Sequence, residues 1–236
     1  MVFPGAWWLI VLAALGVAAA ALDYIQKWRR RRGFRHLAER LGLAYTQRDD
    51  LTAERLEFLT FLRRGTIARN VVAGMHHGWV VRVFDAETGS RPFVLSRPVP
   101  NAFTCLVVEH EGDFPTLLIS PRGPGLHIEL ALTGDDVELD SAEFAKLFRV
   151  RSKDRKLAYD VCHTRMMRYL LVHQDLVVEI ARNCLVVRVA PRVAGCEAGL
   201  LPVRDIAARL RQLVEIRTLL PRYLFTGTQE KPQCKA

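Results

Sequence analysis

No Asp, Glu, Lys or Arg occurs between Met1 and Leu22. The stretch therefore has no polar face, which excludes an ordinary surface helix of a globular domain. The 236-residue chain also lacks Cys-x-x-Cys. Its five cysteines, Cys105, Cys162, Cys184, Cys196 and Cys234, are odd in number and widely spaced. A disulfide framework or a clustered zinc site would look different, and reduced thiols fit. Gly-x-x-x-x-Gly-Lys, Gly-x-Gly-x-x-Gly, His-Glu-x-x-His and Gly-x-Ser-x-Gly are all missing, so no motif points to a nucleotide, a catalytic metal or an activated serine. No repeat and no low-complexity tract is present, and no cofactor is implied.

What is present begins with the span. Ala6 to Leu22 is an unbroken apolar run, flanked by Trp7 and Trp8 at one end and Tyr24 and Trp28 at the other. About 20 apolar residues cross a hydrocarbon core of about 30 Å. Trp8 and Trp28 lie about 30 Å apart along a helix rising 1.5 Å per residue, the separation of two aromatic belts. Lys27 and Arg29, Arg30, Arg31 and Arg32 follow at once. A basic cluster there resists translocation. The expected topology is a bacterial inner-membrane anchor over 1–24, N-terminus out, with the rest of the chain cytoplasmic. A cleaved signal peptide is the rival, supported by Ala18–Ala21; it wants a basic residue before the run, and none is present.

The net charge of +9 is uneven. Residues 23–69 hold twelve Lys/Arg against six Asp/Glu, and residues 70–236 hold twenty-two against nineteen. The basic excess sits beside the span, where a membrane explanation places it. A nucleic-acid binder would carry a basic stripe across its folded domain.

The remaining chain reads as α+β. A juxtamembrane basic helix is expected over 25–43, with Phe34, Leu37, Ala38 and Leu41 as its apolar stripe. A soluble domain over 44–225 follows, in one core or in two subdomains over 44–150 and 151–225, and then a disordered tail over 226–236. Within the domain, Thr52 caps a short helix to Phe61. Hairpins are expected at 66–73 with 79–84, at 103–109 with 116–120 around Glu111-Gly112-Asp113, and at 176–181 with 184–190 around Arg182-Asn183. Residues 91–100 and 121–125 read as loop and break. Asp140 or Ser141 caps a helix through Phe148, with Glu143 as a capping-box carboxylate. One longer helix runs from Ser152 or Asp154 to Val172, and a last one starts at Pro202. Hairpins followed by helices give an antiparallel sheet with helices packed on it, not alternating βαβ units.

Short motifs carry a resemblance: Phe61-x-x-x-Gly65, Asn70-x-x-x-Gly74, Val81-x-Val83-Phe84-Asp85, Glu143-Phe144 and Phe148-x-Val150-x-Ser152-x-Asp154. With the span and its basic collar, the chain resembles uncharacterised bacterial membrane-anchored proteins carrying a domain of unknown function. The resemblance implies an inner-membrane protein and supplies no catalytic residues.

Candidate chemistry is thin. His76 and His77 could join His110 at a metal, but neighbours on a strand face opposite ways. Asp135, Asp136, Glu138, Asp140 and Glu143 offer oxygens to a hard cation, without the spacing of a calcium loop; a solvated acidic edge is the plainer account. Cys162 and His163 point about 100° apart on a helix and place the thiol in the core. Arg204, Arg209, Arg211, Arg217 and Arg222 on the last helix read as surface arginines with snorkelling stems. The expected function is therefore a protein-interaction or scaffold module. An enzyme of unrecognised type and a binder of nucleic acid or anionic surfaces remain as alternatives. The expected partners are the lipid bilayer and an unidentified protein, and nucleic acid is not favoured. The interface residues expected at the membrane are Trp7, Trp8, Tyr24, Lys27, Trp28, Arg29, Arg30, Arg31 and Arg32.

Overall fold

The apolar run and the basic stretch after it share one helix, α1 (Trp7–Leu41), 35 residues long. The computed structural model describes residues 7–62, 65–87, 102–122, 134–190 and 199–226. The expectations for 91–100, for 123–125 and for the tail from Gly227 lie outside these residues, as do Cys196 and Cys234. The apolar part of α1 is long and apolar enough to cross a membrane, and none of it is buried in the protein. The C-terminal part changes character. Phe34, Leu37 and Ala38 are buried, and the helix ends before Gly42, whose φ of 67° suits glycine.

Among the described residues after α1, the strands form one seven-stranded antiparallel sheet. Its strands are β1 (Ala44–Arg48), β2 (Ile67–His76), β3 (Trp79–Glu87), β4 (Ala102–Pro121), β5 (Asp135–Asp136), β6 (Phe148–Ser152) and β7 (Leu176–Val189). The order is β1-β2-β3-β4-β6-β5, with β7 also paired to β4. β2 and β3 meet through a two-residue turn, tighter than the five-residue one expected. His77 and Gly78, at φ 50° and 81°, take the left-handed backbone conformation of a turn whose twist matches the right-handed twist of the strands.

Two expected hairpins are not hairpins. β4 runs for 20 residues straight through Glu111-Gly112-Asp113, and β7 runs straight through Arg182-Asn183. They pair with each other, from Leu106 opposite Val187 to Ile119 opposite Val178. The turn-forming residues serve as bulges instead: Gly112 sits at φ 115° and Arg182 at φ 51°. β4 takes up more chain between Glu109 and Leu117 than β7 does between Cys184 and Ile180, so the extra residues bend the ribbon without ending it. This pairing joins residues 102–121 and 176–189 in one sheet.

Both faces of the sheet are covered. On one face lies the larger core, where Val83, Leu106, Leu117, Ile119 and Val187 meet Phe34, Phe144, Phe148, Met166, Leu170, Ile206 and Leu213. These come from α1, α3 (Ala142–Leu147), α5 (Thr164–Val172), α6 (Val203–Leu219) and β6, and α4 (Arg155–Val161) adds Leu157 and Ala158. On the other face α2 (Asp50–Arg55) and residues 56–62 cover Phe84, Phe103, Cys105 and Val186. The buried Glu179 fastens that cover, accepting from the Thr60 amide at 2.8 Å and its hydroxyl at 2.9 Å. A last turn, α7 (Tyr223–Thr226), follows α6.

Local signals moved in three places. Asp49 caps α2, not Thr52, whose amide and hydroxyl both donate to the Asp49 carboxylate. The helix then ends at Arg55. Ser141 caps α3, which puts Glu143 one position too early for a capping box. The long helix expected to Val172 is two helices. Cys162 ends α4, and His163 caps α5 by accepting from the amides of Arg165 and Met166 at Nδ1. Its Nε2 donates to the Leu219 carbonyl at 2.9 Å, so the same ring ties the break to the end of α6.

Candidate functional site

A helix with an apolar outer part and a docked inner part needs something at the junction, and that something is Arg30. Its Nε donates to Asp85 Oδ2 at 2.6 Å and its Nη2 to Asp85 Oδ1 at 2.7 Å. Nη1 donates to the Leu201 carbonyl at 2.8 Å and Nη2 also to the Thr104 hydroxyl at 3.0 Å. Thr104 Oγ1 in turn donates to Asp85 Oδ1 at 2.9 Å and accepts from the Leu201 amide. Asn70 Nδ2 donates to Asp85 Oδ2 at 2.9 Å. The Asp85 carboxylate thus accepts four hydrogen bonds, about its full capacity.

The Asp85 side chain is 4% exposed and that of Arg30 19%. A surface ion pair contributes about 0–1 kcal/mol. A bidentate pair this deep is different: losing one partner strands a charge and costs about 3–5 kcal/mol. The backbone is bent to suit. Asn70 stands at φ 52° beside an irregularity in the β2–β3 register and also accepts from the Tyr45 hydroxyl. Two further close approaches seat α1. A side chain at Gly33 would meet Val203 of α6 at 3.2 Å, and one at Gly74 would meet Leu43 at 3.0 Å. Asn70, Gly74 and Asp85, three of the motif residues, therefore all serve the docking of α1 and the residues just after it.

The neighbours of Arg30 have other fates. Arg31, Arg32 and Arg35 line a groove of about 360 Å³ with Trp28, Tyr45 and Gln47, and His36 and Glu39 complete its wall. The Arg32 guanidinium lies 5.6 Å from the Trp28 ring, and that of Arg35 lies 5.6 Å from the Tyr45 ring. Burial pushes the Tyr45 phenol up, and the nearby Arg35 and Arg31 oppose that rise.

The fold is one already seen in a solved structure. The chain is similar to the mycobacterial trehalose monomycolate transport factor A, TtfA, with a TM-score of 0.53 and 18% identity; the match covers 82% of this chain and 95% of that one. At that identity the likeness concerns the fold. No protein-family model matches the chain, and no curated protein matches it.

The residues expected at the membrane are thus divided. Trp7, Trp8, Tyr24, Trp28 and Arg29 are exposed along α1. Lys27 is exposed and pairs with Asp23 at 2.9 Å. Arg31 and Arg32 line the groove. Arg30 departs from the expectation: its guanidinium belongs to the domain interior, because the helix turns it onto the face shared with Phe34, Leu37, Ala38 and Leu41.

The other candidates are structural. Among the described residues, no group of three or more His, Cys, Asp or Glu is placed to hold a metal. His110 is buried with its ring against Phe114 and Phe225, and desolvation lowers its pKa. Asp136 faces Arg149 and Arg151 at 3.5 and 3.4 Å, so the acidic edge has its own counter-charges. Burial pushes the Cys162 thiol up to about 12, which leaves it protonated and a poor nucleophile. Among the arginines of the last helix, Arg204, Arg211 and Arg222 are exposed, and Arg209 pairs with Asp175. Arg217 corrects the surface expectation. It is buried between Trp79 and Phe225, 4.2 and 3.8 Å from their ring centres. There it fastens α6 and α7 to the sheet through cation–π contacts.

Proposed function

We propose that the chain is a single-pass membrane protein whose folded domain is a non-catalytic interaction module, held on the cytoplasmic face of a bacterial inner membrane as a rigid extension of its spanning helix. The observation that carries this reading is the Arg30–Asp85 pair. Arg30 follows Trp28 by about 3 Å of helix rise, so the domain starts at the level of the headgroups with no linker in between. A tether that only raised local concentration would do better with a flexible linker. A rigid strut instead fixes which face of the domain a neighbouring membrane protein meets. The cytoplasmic side rests on Lys27 and Arg29–Arg32 beside the apolar run.

The shared fold supports a role beside membrane transport, since TtfA is a trehalose monomycolate transport factor. On this reading the chain helps a membrane transport system by positioning a partner protein, not by chemistry of its own. The test is recovery of partners from crosslinked membranes by the intact chain and by an Asp85→Ala variant. The reading expects membrane proteins captured by the intact chain and reduced capture by the variant. Release of the intact chain from membranes by alkaline carbonate would overturn it. High activity of a periplasm-only phosphatase fused at Ala236 would overturn the cytoplasmic placement.

A further inference from the structure

Consecutive residues on a helix point about 100° apart, so the four adjacent arginines cannot share a partner. Arg30 faces the sheet and directs four of its five N–H donors to Asp85, Thr104 and Leu201. Arg31, Arg32 and Arg35 converge on the groove, and among the described residues none of them makes an ion pair. The acid in that groove, Glu39, is exposed and lies 3.3 Å from His36 Nδ1, so one carboxylate faces three guanidiniums. Three guanidiniums in one concavity repel one another, and an anion that entered would relieve the repulsion. Two of them lie over aromatic rings, Arg32 over Trp28 and Arg35 over Tyr45, each 5.6 Å from the ring centre. A guanidinium held over a ring face keeps N–H donors free at its edge, and those donors match the oxygens of a phosphate.

Position selects the source of the anion. Trp28, at the mouth of the groove, closes the apolar part of α1, and Ile25 and Leu22 continue outward from it as exposed apolar side chains. A phosphate seated against Arg31 and Arg35 would sit at headgroup depth, with acyl chains free to run along that apolar surface. We propose that the groove binds the phosphate of an anionic phospholipid from the adjoining leaflet, one lipid at a defined site. This rests on the reading that α1 spans the bilayer.

The test uses the full chain in nanodiscs of phosphatidylcholine with a minor fraction of phosphatidylglycerol, and native mass spectrometry to count the lipids retained on release. The intact chain should retain phosphatidylglycerol over phosphatidylcholine. A charge-assisted hydrogen bond to a seated phosphate contributes roughly 1.5 kcal/mol, so Arg35→Gln should weaken retention roughly tenfold and Arg31→Gln with Arg35→Gln roughly a hundredfold. Arg29→Gln, on the same helix but outside the groove, should change it little. Arg32→Gln, an exposed position, provides a second variant should the double variant fail to fold. Equal retention by the intact chain and the groove variants overturns the site. So does a loss with Arg29→Gln as large as with Arg35→Gln, which would show a diffuse collar. Displacement of the lipid by excess inorganic phosphate overturns the lipid source. A chain that fails to enter the discs at all refutes the span instead, which separates the two failures.

Discussion

The two ends of α1 obey different solvents. From Trp7 to Trp28 every side chain is exposed, Ile10, Val17 and Leu22 among them at 72, 71 and 60%. From Arg30 to Leu41 the same helix has a buried stripe, a saturated ion pair and a glycine pressed against a neighbouring helix. The outer part buries nothing against the domain, and its apolar surface suits lipid and not water. The inner part is as much core as any strand. One continuous backbone joins them, so whatever fixes the inner part orients the outer one.

Substitutions should separate the two ends, the largest effects coming first. Phe34→Ala removes a fully buried ring and should cost the domain about 3–5 kcal/mol in denaturant unfolding. Leu15→Ala, in the outer part, should leave the same transition unmoved. Equal effects from both would erase the distinction. Asp85→Asn comes next, at about 3 kcal/mol. It sits at the lower end of its range because Arg30 keeps the Leu201 carbonyl and the Thr104 hydroxyl. An unchanged midpoint would show that the pair is idle. Gly33→Leu should cost about 1–3 kcal/mol by forcing Val203 away, and co-substitution of Val203→Ala should return part of that loss.

The smallest effect at neutral pH comes from the thiols. Burial pushes both Cys162 and Cys184 up to about 12, from an ordinary value near 9. The folded state therefore favours the protonated thiol. The stability this represents is fully present below about pH 9 and is lost as pH rises from there toward 12. Unfolding midpoints should fall over that window, and a disulfide reagent at neutral pH should reach these two cysteines only on unfolding. Fast labelling of either in the native protein would contradict their place in the core.

Much of this was legible in the residues. The apolar run, its flanking tryptophans and the α+β class follow from pattern alone, as does the buried stripe of Phe34, Leu37 and Ala38 in α1. The hairpins around Glu111-Gly112-Asp113 and Arg182-Asn183 were misread for a definite reason. A bulge and a tight turn draw on the same residues, because both need a positive φ. Only the long-range pairing of β4 with β7 decides between them, and local sequence does not contain it. The break at Cys162 and His163 carries no glycine or proline, and a histidine cap is a weak signal. Arg30 was hidden among three other arginines. Helical phase would have found it, since it falls four residues before Phe34. Asp85 called for a partner as well, a lone acid among Val83, Phe84 and Ala86.

The central claim is that the spanning helix and the domain move as one body, locked at Arg30 and Asp85. It is tested most directly by measuring one distance between spin labels in nanodiscs. One label replaces Val17 in the outer part of α1 and the other replaces Val172, an apolar side chain of the domain that is 78% exposed, both attached through non-cysteine chemistry. The account predicts a single narrow distance distribution in the intact chain, broadening when Asp85 is replaced by Ala. A broad distribution in the intact chain would contradict it.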